Sequence, residues 1–151
     1  MTQTHTFEVK GRWQGSFGGK GELKARGLET SFSVPTELRG IGVGTNPEEL
    51  LLGAAASCFL ITLGIGLGFR ALEVKEITVE SRIEVEIENG ALAVRAIEHR
   101  PTLRVEKEIT PEIAAALASA VRHAEGQCLV AKAMRGNVRI GVAAPIVERY
   151  L

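Results

Sequence analysis

An excess of charge of either sign is the first thing this 151-residue sequence lacks: 18 Lys and Arg face 18 Asp and Glu, and the pI is near 6.8. Zero net charge offers no bulk attraction to nucleic acid or anionic lipid, so a small, uncharged or weakly charged partner is expected. Aromatic residues are scarce, at 5 %. The opening residues, MTQTHTFEVK, have no basic stretch, apolar run or small-residue cleavage site, which argues against export and for a reducing, cytoplasmic setting. There, two cysteines, Cys58 and Cys128, are poorly placed to form a structural staple and read as buried fillers, metal ligands or redox groups. The three histidines, His5, His99 and His123, show no ligand spacing with the cysteines, which leaves a Cys/His zinc site as a minor alternative.

The length suits one domain, 1–151. From Thr6 to about Ser33 glycines alternate with aromatic and β-branched residues, the pattern of an N-terminal β-meander. A glycine-spaced loop, PTELRGIGVGTNPEEL, ends in a helix start: Asn46 as N-cap, Pro47 at the first helical position and Glu49 three residues after the cap. From Leu50 through Phe69 no residue is charged, and the run LLLGAAASCFLITLGIGLGF meets the length criterion for a membrane span. Its richness in Gly and Ala, and its place in an otherwise amphipathic chain, favour the buried centre of a soluble fold, not a membrane span. A domain this size covers such a helix incompletely, so a second copy of the chain is expected to cover part of it.

Beyond Arg70 the period changes. Ile77, Val79, Ile83, Val85 and Ile87 alternate with charged residues as in a strand with one wet face, and Glu88-Asn89-Gly90 supplies a hairpin turn. Ala91 to Ile109 reads as one or two strands interrupted at Pro101. Thr110 and Pro111 open a second helix, with Ile113, Leu117 and Val121 at helical spacing and an end near Gly126. QCLVAKAM reads as one or two helical turns before Gly136-Asn137, and VRIGV as a last strand. The fold class is α+β, with antiparallel strands packed around one long, central, buried helix.

By physics alone Cys58, midway along the apolar helix, is a core filler: burial raises a thiol's pKa and makes it inert unless a cation or directed hydrogen bonds stabilise the thiolate. Cys128, just after Gly126 at the start of a helical turn, is placed to feel a positive helix end and reads as the more accessible of the two. Spacing does not say whether they meet.

The motifs, however, resemble a known family. GTNPEELLLGAAASCF looks like the central-helix signature of the OsmC/Ohr family of hydroperoxide reductases, and CLVAKAMRGNVRI looks like the segment around that family's second cysteine. GGKGELKARG and SVPTEL upstream fall in the family's order, so the resemblance spans nearly the whole chain; Leu129 departs from it, standing where the family often has proline. The resemblance implies an OsmC-like fold in an intertwined homodimer with active sites at the subunit interface, reducing organic hydroperoxides. It makes Cys58 the residue that attacks peroxide and becomes a sulfenic acid, and Cys128 the residue that resolves it as an intramolecular disulfide. A dithiol or lipoyl-type reductant would reopen that bond, with no metal or organic cofactor required.

Glu48 matches the family's functional glutamate. It precedes Cys58 by ten positions, so on one straight helix their backbones stand roughly 15 Å apart along the axis, and Glu48 must act through an intermediary or from the partner chain. It is expected to position an arginine of the other subunit; the alternative is that a glutamate in a first helical turn simply favours the helix dipole. The family places that arginine either in the Gly-Gly turn, where this chain has Lys20, or in the loop before the Asn-Pro helix start, where Arg39 lies one step from the matching position. Arg39 is the candidate, because a guanidinium binds carboxylate and thiolate together; Lys20, or neither, are the alternatives. Trp13, Phe17, Phe59 and Phe69 would either line an apolar pocket over Cys58 or pack in the core. The rival function is a non-catalytic dimer of the same fold that holds a lipid-like ligand, separated from the enzyme by the absence of reversible disulfide chemistry.

Overall fold

A computed structural model describes residues 1–151, which fall into two units, Met1–Leu50 and Leu51–Leu151. In the first, the Gly-rich stretch forms the expected meander: β1 (Lys10–Gln14), β2 (Lys20–Lys24) and β3 (Glu29–Phe32) pair antiparallel in that order. The turn after β1 is tied by the Trp13 indole N–H, which donates to the Gly15 carbonyl at 2.8 Å, and the Trp13 ring lies 5.7 Å from that of Phe32. A single 3-10 turn (Thr36–Leu38) follows, closed by Arg39 in the left-handed region at φ 64. The loop then folds back on β3. Buried Ser33 anchors it, its hydroxyl donating to the Val43 carbonyl at 2.8 Å and accepting from the Val43 amide at 2.7 Å. Gly44, at φ 70, brings its backbone so close to Ser31 that a β-carbon there would collide with it.

This loop delivers the chain to α1 (Pro47–Phe69), which begins in the first unit and continues into the second. Its start is as read from the sequence: the Asn46 side-chain oxygen accepts from the Glu49 amide at 2.9 Å, and the Thr45 hydroxyl donates to the Glu49 carboxylate at 2.7 Å. Within this chain α1 buries a single stripe, Ala55, Phe59, Leu63 and Leu67, one residue per turn. By length and composition the helix passes the test for a membrane span, as the core helix of a soluble protein also does, and 22 % of its most apolar window is buried.

The second unit continues with β4 (Glu76–Glu88) and β5 (Ala91–Val105), an antiparallel hairpin whose turn puts Asn89 and Gly90 at φ 52 and 79, the pair of positive values that a tight two-residue turn requires. α2 (Pro111–Gln127) is capped by Thr110, whose hydroxyl oxygen accepts from the Ile113 amide at 3.2 Å, and α3 (Leu129–Met134) follows after one residue. β6 (Arg139–Val142) and β7 (Ile146–Arg149) complete the sheet, both pairing with β5 in parallel.

Two expectations need correction. β5 runs unbroken through Pro101, because β6 pairs with Ala96–His99 and β7 with Thr102–Val105, leaving Arg100 and Pro101 between them on that edge, where a missing amide costs no ladder bond. The strands are not all antiparallel, and VRIGV is not the last of them: β6 and β7 join β5 in parallel, and β7, a four-residue strand next to the C-terminus, carries too little periodicity to be read from sequence. The mixed α+β class stands. Its main core joins Phe59, Leu63 and Leu67 of α1 to Leu103 and Val105 of β5 and Leu117, Val121 and Ala124 of α2. Each large apolar side chain so buried contributes about 1.5–3 kcal/mol.

Candidate functional site

A smaller core builds the site. Ala55 of α1, Ile97 of β5 and Val138 pack together, and Val130 and Met134 of α3 lie against them. The short helix is thereby set beside the turn of α1 that precedes Cys58, and its first residues face the Cys58 sulfur. The two cysteines, left unconnected by spacing, are free thiols close enough for each to act on the other's acidity.

Their surroundings divide them. Burial alone would raise the Cys58 thiol, but the backbone amide of Val130, the Cys128 thiol, the Leu129 amide and the Thr62 hydroxyl together hold it below its ordinary value. The Thr62 hydroxyl donates its single proton to the Cys58 carbonyl at 2.8 Å, which leaves the two amides and the Cys128 thiol as the donors for the thiolate. Cys128 shifts the other way. Burial pushes it up, outweighing the Ala131 amide, and the neighbouring Cys58 sulfur pushes it further. Cys128 is 1 % exposed and caps α3, its sulfur accepting from the Ala131 amide at 3.5 Å. The expectation that Cys128 would be the more accessible thiol is therefore reversed: Cys58 is only half-buried and is the more acidic.

The donors missed by sequence reasoning are main-chain groups. Leu129 is the informative one. A proline there would have no N–H to offer Cys58, so the departure from the family's frequent residue keeps an amide that helps lower the Cys58 thiol. The signal was the substitution itself, legible only once the turn faced Cys58.

The remaining candidates stand as follows. Glu48 lies in the first turn of α1 and has one buried carboxylate oxygen without a hydrogen-bond partner. Arg39 is exposed, with no side-chain hydrogen bond or ion pair, and Lys20 is exposed at the head of β2. No cation is among the groups that shift Cys58. Of the aromatic residues, Phe59 belongs to the core, stacked on His99 at 5.0 Å, whereas Phe69 is exposed at the end of α1 and Trp13 lies against Phe32. His99, 1 % exposed, shares a 2.7 Å hydrogen bond with the Ser81 hydroxyl; burial lowers its pKa, against a smaller opposing effect of Glu125.

Comparison with known proteins fits this geometry. A family model described as OsmC-like protein matches residues 40–143, a stretch that holds both cysteines and Glu48. The uncharacterized protein YmaD of Bacillus subtilis (strain 168) is 34 % identical over 142 residues, 94 % of this chain and 95 % of that protein. Among solved structures, an organic hydroperoxide resistance protein from Elizabethkingia anophelis, with crystallant-derived thiocyanate bound, has a TM-score of 0.71 at 22 % identity, covering 99 % of this chain and 100 % of that one. The organic hydroperoxide resistance protein OhrB of Bacillus subtilis has a TM-score of 0.63 at 22 % identity, covering 95 % and 98 %. An OsmC-like protein of unknown function from Vibrio cholerae has a TM-score of 0.76 at 14 % identity, covering 93 % and 100 %; at these identities the likeness is one of fold. Matched by the family model over most of its length and by a relative 34 % identical across nearly all of it, the chain belongs to the OsmC-like family.

Proposed function

We propose that this protein is a thiol-dependent peroxidase that reduces organic hydroperoxides to alcohols. One observation carries the reading: two free thiols within reach of each other, with acidities displaced in opposite directions. The more acidic, more accessible Cys58 is suited to attack, since the thiolate is the nucleophile. Its sulfur takes the distal peroxide oxygen, the O–O bond breaks, and the alkoxide leaves as alcohol after taking a proton; Cys58 is left as a sulfenic acid. Cys128, protonated until this step, gives up its proton as its sulfur attacks that of Cys58; the sulfenic hydroxide takes a proton and departs as water, and a Cys58–Cys128 disulfide forms. A dithiol or lipoyl-type reductant exchanges with the disulfide, regenerating two thiols and becoming a disulfide itself.

The same reading makes the active unit a homodimer of single OsmC-like domains in the cytoplasm, with each site completed at the interface. Three features support this. α1 leaves large apolar residues uncovered, Ile61 at 64 % and Ile65 at 57 % exposure; every residue of β1 is exposed, Trp13 among them; and a buried Glu48 oxygen without a partner is costly unless a donor meets it. An arginine of the second copy, Arg39 in our reading, would meet Glu48 and carry positive charge to the Cys58 thiolate and the peroxide. Steady-state assays with cumene hydroperoxide, dihydrolipoamide and the Cys58→Ser variant test the proposal: turnover that vanishes in the variant is expected, and an inert wild-type protein would favour the ligand-binding alternative.

A further inference from the structure

α3 is six residues long, well below the length at which a helix holds itself together in water, yet it carries donors on which the Cys58 thiolate depends. Val130 and Met134 secure one side of it by packing. Its far end is held differently. Arg135, the residue after the helix, reaches back ten positions to α2, where its guanidinium donates to the Glu125 carboxylate at 2.7 Å and to the Glu125 carbonyl at 3.4 Å. The Glu125 side chain is 16 % exposed, so this pair is more shielded from water than most surface ion pairs. The other tie between the two helices, Lys132 to Gln127 at 3.0 Å, is exposed.

We propose that Glu125 and Arg135 form a positioning clamp: by joining the last turn of α2 to the end of α3, they keep the amides of Leu129 and Val130 and the thiol of Cys128 directed at the Cys58 sulfur. Neither residue is among the groups acting on Cys58, so both act through the turn between them. The charged and titratable groups around the clamp are Glu125 on α2, Arg135 after α3, Lys132 on α3 and buried His99 on β5, on which Glu125 acts. The inference rests on reading Cys58 as the attacking thiolate.

A clamp and a pair of bare charges predict different signs. As charges alone, losing Arg135 would raise the Cys58 pKa and losing Glu125 would lower it. As a clamp, losing either lets the donors move off the sulfur, and both losses raise it. The test is the pH dependence of Cys58 alkylation by iodoacetamide in the reduced full-length protein, resolved from Cys128 by peptide mass, for Arg135→Ala and Glu125→Ala. Both midpoints are expected to rise by about one pH unit, a roughly ten-fold loss of thiolate below the midpoint, with part of the shift recovered in Arg135→Lys. If an alanine variant does not fold, Arg135→Lys and Glu125→Gln take its place, with the same sign and a smaller shift. Shifts of opposite sign, or wild-type midpoints in folded variants, would overturn the clamp. Because peroxide does not enter the measurement, a clamp that fails in a peroxide-active protein is distinguishable from failure of the peroxidase reading.

Discussion

The Cys128 thiol, at the cap of α3, acts on the Cys58 thiol in the middle of α1, and the two are displaced in opposite directions from their ordinary acidity. The pairing is a division of labour in proton terms. A thiol that stays protonated donates to one that does not, so each displacement supports the other. Burial works against Cys58 ionising and with Cys128 staying neutral; what tips Cys58 is a set of directed donors, two of them main-chain amides.

Alkylation of the two cysteines should therefore separate with pH. Cys58 is expected to react half-maximally below the pH of an ordinary thiol and Cys128 above it, as followed by site-resolved mass spectrometry across pH 6 to 11, a range of about five units spanning ordinary thiol values. Leu129→Pro removes one amide donor and should move the Cys58 midpoint upward. On stability the signs follow: the lowered Cys58 contributes stability that is present above the ordinary thiol pKa and lost as pH falls through its folded value, whereas Cys128 disfavours the fold as pH rises past the ordinary value. Coincident midpoints for the two cysteines would contradict the assignment of roles.

The activating cation is open to a direct comparison. Arg39→Ala is expected to slow reaction with cumene hydroperoxide by on the order of 10²-fold, the usual effect of removing one electrostatic donor from a site, and Lys20→Ala to leave it near wild type. On the proposal that Glu48 holds the arginine, Glu48→Ala should lower activity with the fold intact. The reverse ranking of Arg39 and Lys20 would transfer the role to Lys20; wild-type rates in all three variants would leave the main-chain donors as the sole activators.

The uncovered face of α1 gives a test of assembly. Ile61 and Ile65 stand four positions apart, one above the other on the helix, and both are more than half exposed in a single chain. Ile65→Asp is expected to convert a dimer into a monomer by sedimentation and to lose peroxidase activity with it. A wild-type monomer, or a variant that remains dimeric, would count against that interface.

His99 makes a prediction about stability. Buried against Phe59 and bonded to Ser81, it has its pKa lowered, so the unfolded chain takes up a proton that the fold resists. Stability should be level above about pH 6.5 and fall as pH drops below it. Urea midpoints at several pH values would show this slope, and His99→Gln should flatten it; an unchanged slope would assign the acid sensitivity to other groups.

Local signals served the sequence reading well. The start of α1 was legible because Asn46, Pro47 and Glu49 act within four residues of one another, and Thr110 and Asn89-Gly90 announce α2 and the β4–β5 hairpin by equally short-range chemistry. What failed was long-range. Pro101 looked like an interruption because its harmlessness depends on where β6 ends and β7 begins. The pairing of Cys58 with Cys128, and the amides that make Cys58 acidic, depend on Val130 and Met134 packing against Ala55 and Ile97, a meeting that no single stretch of sequence encodes. By physics alone Cys58 looks like a filler; family resemblance, not periodicity, is what suggests the role proposed for it.

The most direct test of the central claim is thiol counting by intact mass before and after one equivalent of cumene hydroperoxide, with Cys58→Ser and Cys128→Ser alongside. The wild-type protein should lose both free thiols to one intramolecular disulfide that a dithiol reverses, Cys128→Ser should stop at a sulfenic acid on Cys58, and Cys58→Ser should not react. Two thiols persisting in the wild-type protein would contradict the account.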